Sequence, residues 1–303
     1  MTLIKQIPSK PLSDYIEHYW MYEAAEVACV QQVLLPTVSV ALVVNLSRNG
    51  MAVYDRHDTV RSDGLSGCAV FGPLTEYCYI VPRGDAALLG VQFKPGGAFP
   101  FFGFPVAELE NQRLPLDAVW GPQAAELRDR IIAAPTPAAK MEVVERFLLA
   151  RIQPGTEAHP GLLFALGCMA RLPYTGGISR IIDRSGYSHR RINQLFRREI
   201  GVLPKAYSRI RRFQDILRLA HHDTALPMAE IALNHGYYDQ AHFIHDIRDF
   251  SGLSPSELFR CCRRLNALQA AVCDALQARP DRSKETGPIR TRRHIAGKPT
   301  DAG

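Results

Sequence analysis

Two stretches of this 303-residue chain repeat one pattern of helix breaks, and that repeat constrains the fold most. Ser185-Gly186-Tyr187 interrupts a helical pattern, and His235-Gly236-Tyr237 does the same 50 residues later. Gly201-Val202-Leu203-Pro204 and Gly252-Leu253-Ser254-Pro255 follow them, 51 residues apart. Two kinds of punctuation in register mark a duplicated supersecondary unit.

Each copy has a physical logic. Ile178, Ile181 and Ile182 give a short helix one apolar face. Gly186 accepts the positive φ of a sharp helix end. Ser188 is placed to cap the next helix by accepting a first-turn N–H. There Ile192, Leu195 and Phe196 fall at i, i+3, i+4 and point inward. In the second copy Ile231, Ala232 and Leu233 form the short helix, Asp239 is the N-cap, and Phe243, Ile247 and Phe250 form the inward stripe. Two helices across a three-residue turn containing glycine match the helix-turn-helix unit, whose second helix enters the major groove. Between the copies, Ala206, Ile210, Phe213, Leu217 and Ala220 make an apolar stripe along a predicted helix, Pro204–His221. A helix of 18 residues spans ~27 Å. It suits holding two reading helices about one DNA turn, ~34 Å, apart.

Charge agrees with this division. Residues 1–155 carry 13 Lys/Arg and 16 Asp/Glu, a net −3, and the remainder carries 23 and 14, a net +9. A basic half points to a polyanionic partner. The fold class expected is α+β: a β-rich, sensing-type domain over 1–122, a helical connector over 123–160, then an all-α domain over 161–265 of two helix-turn-helix subdomains joined by a linker helix. Strands are expected over Val38–Val44, Cys68–Phe71, Tyr77–Val81 and Ala87–Phe93, each near Gly/Pro punctuation. Helices are expected over Ala125–Ile132, Lys140–Leu149, Leu162–Leu172, Ile178–Arg184, His189–Arg198, Pro227–Asn234, Gln240–Phe250 and Ser256–Ala278. Residues 279–303 read as a disordered basic tail. No run reaches the ~20 apolar residues of a membrane-spanning helix, and no secretory leader is expected. Seven cysteines without a CxxC fit thiols acting as small hydrophobes in a reducing, cytoplasmic setting.

Residues 160–265 resemble the AraC/XylS family of bacterial transcription regulators. The residues that carry the resemblance are Ile192, Leu195-Phe196-Arg197-Arg198, Gly201, Pro204 and Arg212-Phe213, then Ile231-Ala232, Gly236-Tyr237, Asp239-Gln240, His242-Phe243, Gly252, Ser254-Pro255 and Arg260. His245 stands where the family commonly has Arg. The resemblance implies sequence-specific binding of promoter or operator double-stranded DNA, with activation or repression of transcription. It also implies that Arg190, Asn193 and Gln194 face bases from the first reading helix, and that Gln240, Ile244 and His245 do so from the second. Arg pairs with guanine O6/N7 and Asn or Gln with adenine N6/N7, each good pair giving ~1–3 kcal/mol of discrimination. Arg191, Arg197, Arg198, Lys205, Arg209, Arg211, Arg212 and His242 are expected at phosphates, which add affinity without sequence information.

Residues 89–121 resemble the N-terminal domain of one subgroup of these regulators, which implies sensing or dimerisation. Tyr54, Phe71, Tyr77, Tyr79, Phe93, Phe99, Phe101 and Phe102 either line a small-molecule pocket or pack a core. The helices over 123–150 either pair a homodimer or pack. RNA polymerase is a further partner open to such a protein. No enzyme, cofactor or metal is expected. His18 and His57 have no adjacent ligand pattern, Asp63-Gly64-Leu65-Ser66-Gly67 falls short of a GxSxG elbow, and neither His221-His222 nor His242 with His245 makes a convincing metal site. The alternatives are a non-specific DNA-binding protein and an alkylation-responsive regulator with a methyl-accepting cysteine. The latter needs an activated thiolate, and nothing near Cys29, Cys68 or Cys78 supplies one.

Overall fold

A computed structural model describes residues 2–24, 32–57, 62–65, 67–82, 84–171, 177–221 and 227–264. The front of the chain forms two antiparallel sheets. One has β1 (Thr2–Gln6), β2 (Ile16–Ala24), β4 (Ala41–Asn45), β7 (Cys68–Phe71), β9 (Ala86–Phe93) and β10 (Arg113–Pro115), in the order β1-β2-β9-β4-β7-β10. The other has β3 (Gln32–Leu34), β5 (Met51–Asp55), β6 (Ser62–Leu65) and β8 (Cys78–Pro82), in the order β3-β8-β5-β6. Trp20, Tyr22, Val43 and Phe71 from the larger sheet meet Leu34, Met51, Val53 and Cys78 from the smaller one. At Gly90 the Trp20 ring lies so close that an added methyl would sit 1.9 Å from it.

The other face of the larger sheet is covered by helices, so its inner strands are buried on both sides. Tyr19, Leu42, Val70, Leu89, Val91 and Phe93 pack there against α1 (Phe99–Phe102), α2 (Leu116–Trp120), α3 (Gln123–Ala133) and α4 (Pro137–Leu149). Thr136 caps α4 by accepting Ala139 N–H at 3.2 Å, and Pro137 occupies its first turn. Phe93, Phe99, Phe101 and Phe102 are therefore core packing, with Phe102 stacked on Trp120 at 5.5 Å.

The rest is helical: α5 (Pro160–Arg171), α6 (Ile178–Arg184), α7 (His189–Leu195), α8 (Pro204–His221), α9 (Met228–Asn234), α10 (Gln240–Ser251) and α11 (Pro255–Arg264). One apolar core joins them, and Val38 and Leu35 of the front half contribute to it. The sheets and the helical module are thus in direct contact. The end of the helix expected over Leu162–Leu172, most of Ser256–Ala278, the tail over 279–303, and Cys29 and Cys273 lie outside the described residues.

Candidate nucleic-acid interface

The first unit is α6, a turn and α7. Gly186 has φ 75°. Ser185 Oγ donates to Ile182 O at 2.6 Å, closing α6, and Ser188 Oγ accepts Arg191 N–H at 3.2 Å, opening α7. Ile192, Leu195 and Phe196 are buried. That leaves Arg190, Arg191, Asn193, Gln194 and Arg197 on the exposed arc. The expected helix His189–Arg198 is α only to Leu195. It widens into one π-type turn, Phe196–Ile200, closed by Gly201 at φ 96°.

The second unit repeats the design. Gly236 has φ 71°, Asp239 Oδ1 accepts His242 N–H at 2.7 Å, and Phe243, Ile247 and Phe250 are buried. Gln240, His242 and His245 are exposed. Ile244 differs from expectation: it is half-buried and packs on the apolar core. The His242 ring stands edge-on to Tyr237 at 5.1 Å, with Nε2 3.9 Å from Asp246 Oδ2.

The linker-helix arginines correct the expectation most. Arg211 is 2% exposed and lies beside Tyr207. Arg212 is buried, donates to Asp246 Oδ2 at 2.9 Å and to Gly236 O at 3.2 Å, and covers the Tyr237 ring at 3.9 Å. Arg209 donates to Asp246 Oδ1 at 2.7 Å and to Asp249 Oδ2 at 3.2 Å. In this arrangement Arg209 and Arg212 fasten α10 to α8, and Arg211 is buried, instead of facing a phosphate. Asp246 is the reason: its carboxylate is 2% exposed, and a buried charge demands paired cations. Arg198 is exposed, yet its guanidinium lies 4.6 Å over the Phe99 ring of the front half. Lys205 is exposed.

Sequence reasoning missed Asp246, Asp249 and Arg56. Arg56, just after β5, donates to Asp249 O at 3.1 Å and pairs with Asp249 Oδ1 at 3.5 Å. The signal for Asp246 was present, since a carboxylate inside the stripe Phe243–Ile247–Phe250 needs cations on the facing helix, and Arg209 and Arg212 sit i, i+3 on α8. The Arg56 contact had no local signal.

Among the described residues, no group of three or more His, Cys, Asp or Glu could hold a metal, and no helix is long and apolar enough to cross a membrane. Burial pushes the Cys68 and Cys78 thiols up to about 11, away from the thiolate that methyl transfer needs.

Residues 181–260 match the model of a helix-turn-helix domain, and residues 5–115 match that of a domain of unknown function (DUF6597). The chain is a DNA-binding transcription regulator built on an α+β fold. Two helix-turn-helix units on one linker helix have the arrangement expected of AraC/XylS-type regulators. No curated protein matches it. Similar solved structures include ToxT from Vibrio cholerae: an apo single-residue variant at 9% identity, covering 80% of this chain and 97% of that one, TM-score 0.45. The unsaturated fatty acid-bound wild-type ToxT is similar at 9% identity, 79% and 93% coverage, TM-score 0.41. The AraC-like transcriptional activator CuxR is similar at 17% identity, 70% and 86% coverage, TM-score 0.23.

Proposed function

We propose that this regulator reads DNA sequence, with α7 and α10 entering successive major-groove segments of one operator. The observation that carries this reading is the exposed arc of α7, where an N-capped helix presents Arg190, Asn193 and Gln194 while its apolar side is buried. These side chains have the donor and acceptor geometry that major-groove base edges require. Gln240 and His245 take the base-facing role on α10, flanked by Ile244, whose exposed part suits contact with a thymine methyl. Arg191, Arg197, Arg198, Lys205 and His242 approach phosphates. The alternative of non-specific DNA coating predicts an affinity that does not vary with sequence, whereas a specific regulator prefers its site ~10³-fold or more.

The N-terminal half takes the role of sensing a small molecule or pairing two subunits, with the DNA-bound protein acting on RNA polymerase in the cytoplasm. Its direct contacts with the helical module support this role. The function is binding, with no catalytic step assigned.

A set of operators with single base substitutions tests the assignment. Arg190→Ala should erase preference at one base position, costing ~1–3 kcal/mol there. Lys205→Ala should weaken all sequences alike and lower the salt slope by about 1. Uniform losses for both variants would contradict base reading by Arg190.

A further inference from the structure

The two glycine turns that end the reading helices rest on the same short loop of the front half. Gly201 closes the π-type turn after α7, and a methyl added there would meet Pro73 Cγ at 2.7 Å and Val106 O at 2.9 Å. Gly252 closes α10 at φ 73°, and a methyl there would meet the Tyr77 hydroxyl at 2.9 Å. Pro73 and Tyr77 bound the connection between β7 and β8. One loop therefore touches equivalent points of both repeats.

This loop is braced. Gly72 N–H donates to Gln112 O at 3.0 Å, and Asn111 N–H donates to Pro73 O at 2.9 Å. Thr37 and Leu74 exchange two backbone hydrogen bonds at 3.0 and 2.8 Å. Asn111 also accepts Thr75 N–H at 2.8 Å through Oδ1 and donates to Thr75 Oγ1 at 2.7 Å through Nδ2. Each contact with the reading units has a cationic reinforcement. Arg198, within the π-type turn, covers Phe99. Arg56 binds Asp249 at the end of α10, lies 3.6 Å from Glu76 Oε2 and sits 5.6 Å from the Tyr77 ring centre.

We propose that the loop over residues 72–77, with Arg56, is a two-point clamp that fixes the separation and angle of the two reading helices and so sets the half-site spacing the protein accepts. Pro73, Tyr77 and Arg56 are positioning residues: they bear on the ends of α7 and α10, away from the exposed arcs. The proposal rests on the two-helix reading above. Spacing is the sensitive quantity, because one inserted base pair shifts a half-site by about 3.4 Å along the axis and about 35° around it. A clamp holds both coordinates at once, adding a second brace to the packing and ion pairs that join α10 to α8.

The test uses full-length protein on its preferred two-block site and on versions with one or two base pairs inserted or removed between the blocks. Wild type should lose about tenfold or more per base pair, comparable to a lost base contact. The Arg56→Ala/Tyr77→Ala variant should lose about threefold or less per base pair while keeping its base preferences within each block, and Arg56→Lys should behave as wild type. If the double variant does not fold, Arg56→Gln alone carries the same comparison. Identical spacing profiles for variant and wild type would overturn the clamp while leaving two-helix reading intact. Absence of any two-block site would defeat the reading itself and the clamp with it.

Discussion

Asp246 sits among Phe243, Ile247 and Phe250 with both carboxylate oxygens on linker-helix arginines. Removing one member of a buried ion cluster leaves charge without compensation, which costs more than the cluster contributes relative to an apolar replacement. Asp246→Ala should therefore destabilise the protein by about 3 kcal/mol, because Arg212 would stay buried beside Tyr237 with only Gly236 O to accept from it. Urea unfolding measures this, and a loss under about 1 kcal/mol would mean the cluster is dispensable. Such residues also mark where sequence reading ran out. Basicity on α8 suggested phosphate contacts, but charge alone does not say which face of a helix is covered. Arg209 and Arg212 fall on a face covered by α10, and Arg211 is buried on the side of Gln214, whose Nε2 donates to Pro36 O of the front half at 3.3 Å.

At the scale of elements, the helix-turn-helix units were legible because their determinants are local. A glycine, a cap and a 3.6-residue stripe lie within some twenty residues, and α6 and α8 match their expected spans, Ile178–Arg184 and Pro204–His221. The caps should be separable contributors. Ser188→Ala and Asp239→Ala should each cost about 1 kcal/mol, and Asp239→Asn should recover most of the loss at its site. Calorimetry of the variants checks this, and no shift in Tm for either would deny the caps an energetic role. The front half was only partly legible. β7 matches its expected span, Cys68–Phe71, but β1 and β2 carried no signal. The pairing of β2 with β9 shifts register between Ile16 and His18, and β2 is buried on both faces for most of its length, so it shows no alternation of polar and apolar residues. The polar residues Glu17 and His18 within it disguised an inner strand.

Across the whole molecule, the front half and the reading module share an interface whose charges respond to pH. Burial raises the Glu17 carboxyl to about 7 against the pull of Lys94, Lys5 and Arg218, and neither oxygen has a hydrogen-bond partner among the described residues. A folded-state value above the unfolded one means the native protein binds the proton more tightly. Stability from this group is thus greatest below about 4.5 and falls as pH rises through about 7. Glu17→Gln should raise Tm at pH 8 and leave it nearly unchanged at pH 5; an equal shift at both would contradict this. The central claim, that two helices of one chain read one operator, is tested most directly by selecting preferred sites from random-sequence duplex DNA with the full-length protein and with Arg190→Ala. The account predicts two sequence blocks with centres about one helical turn apart, one of which loses a single base preference in the variant. A pool that yields no consensus, or a consensus unchanged by the substitution, would contradict it.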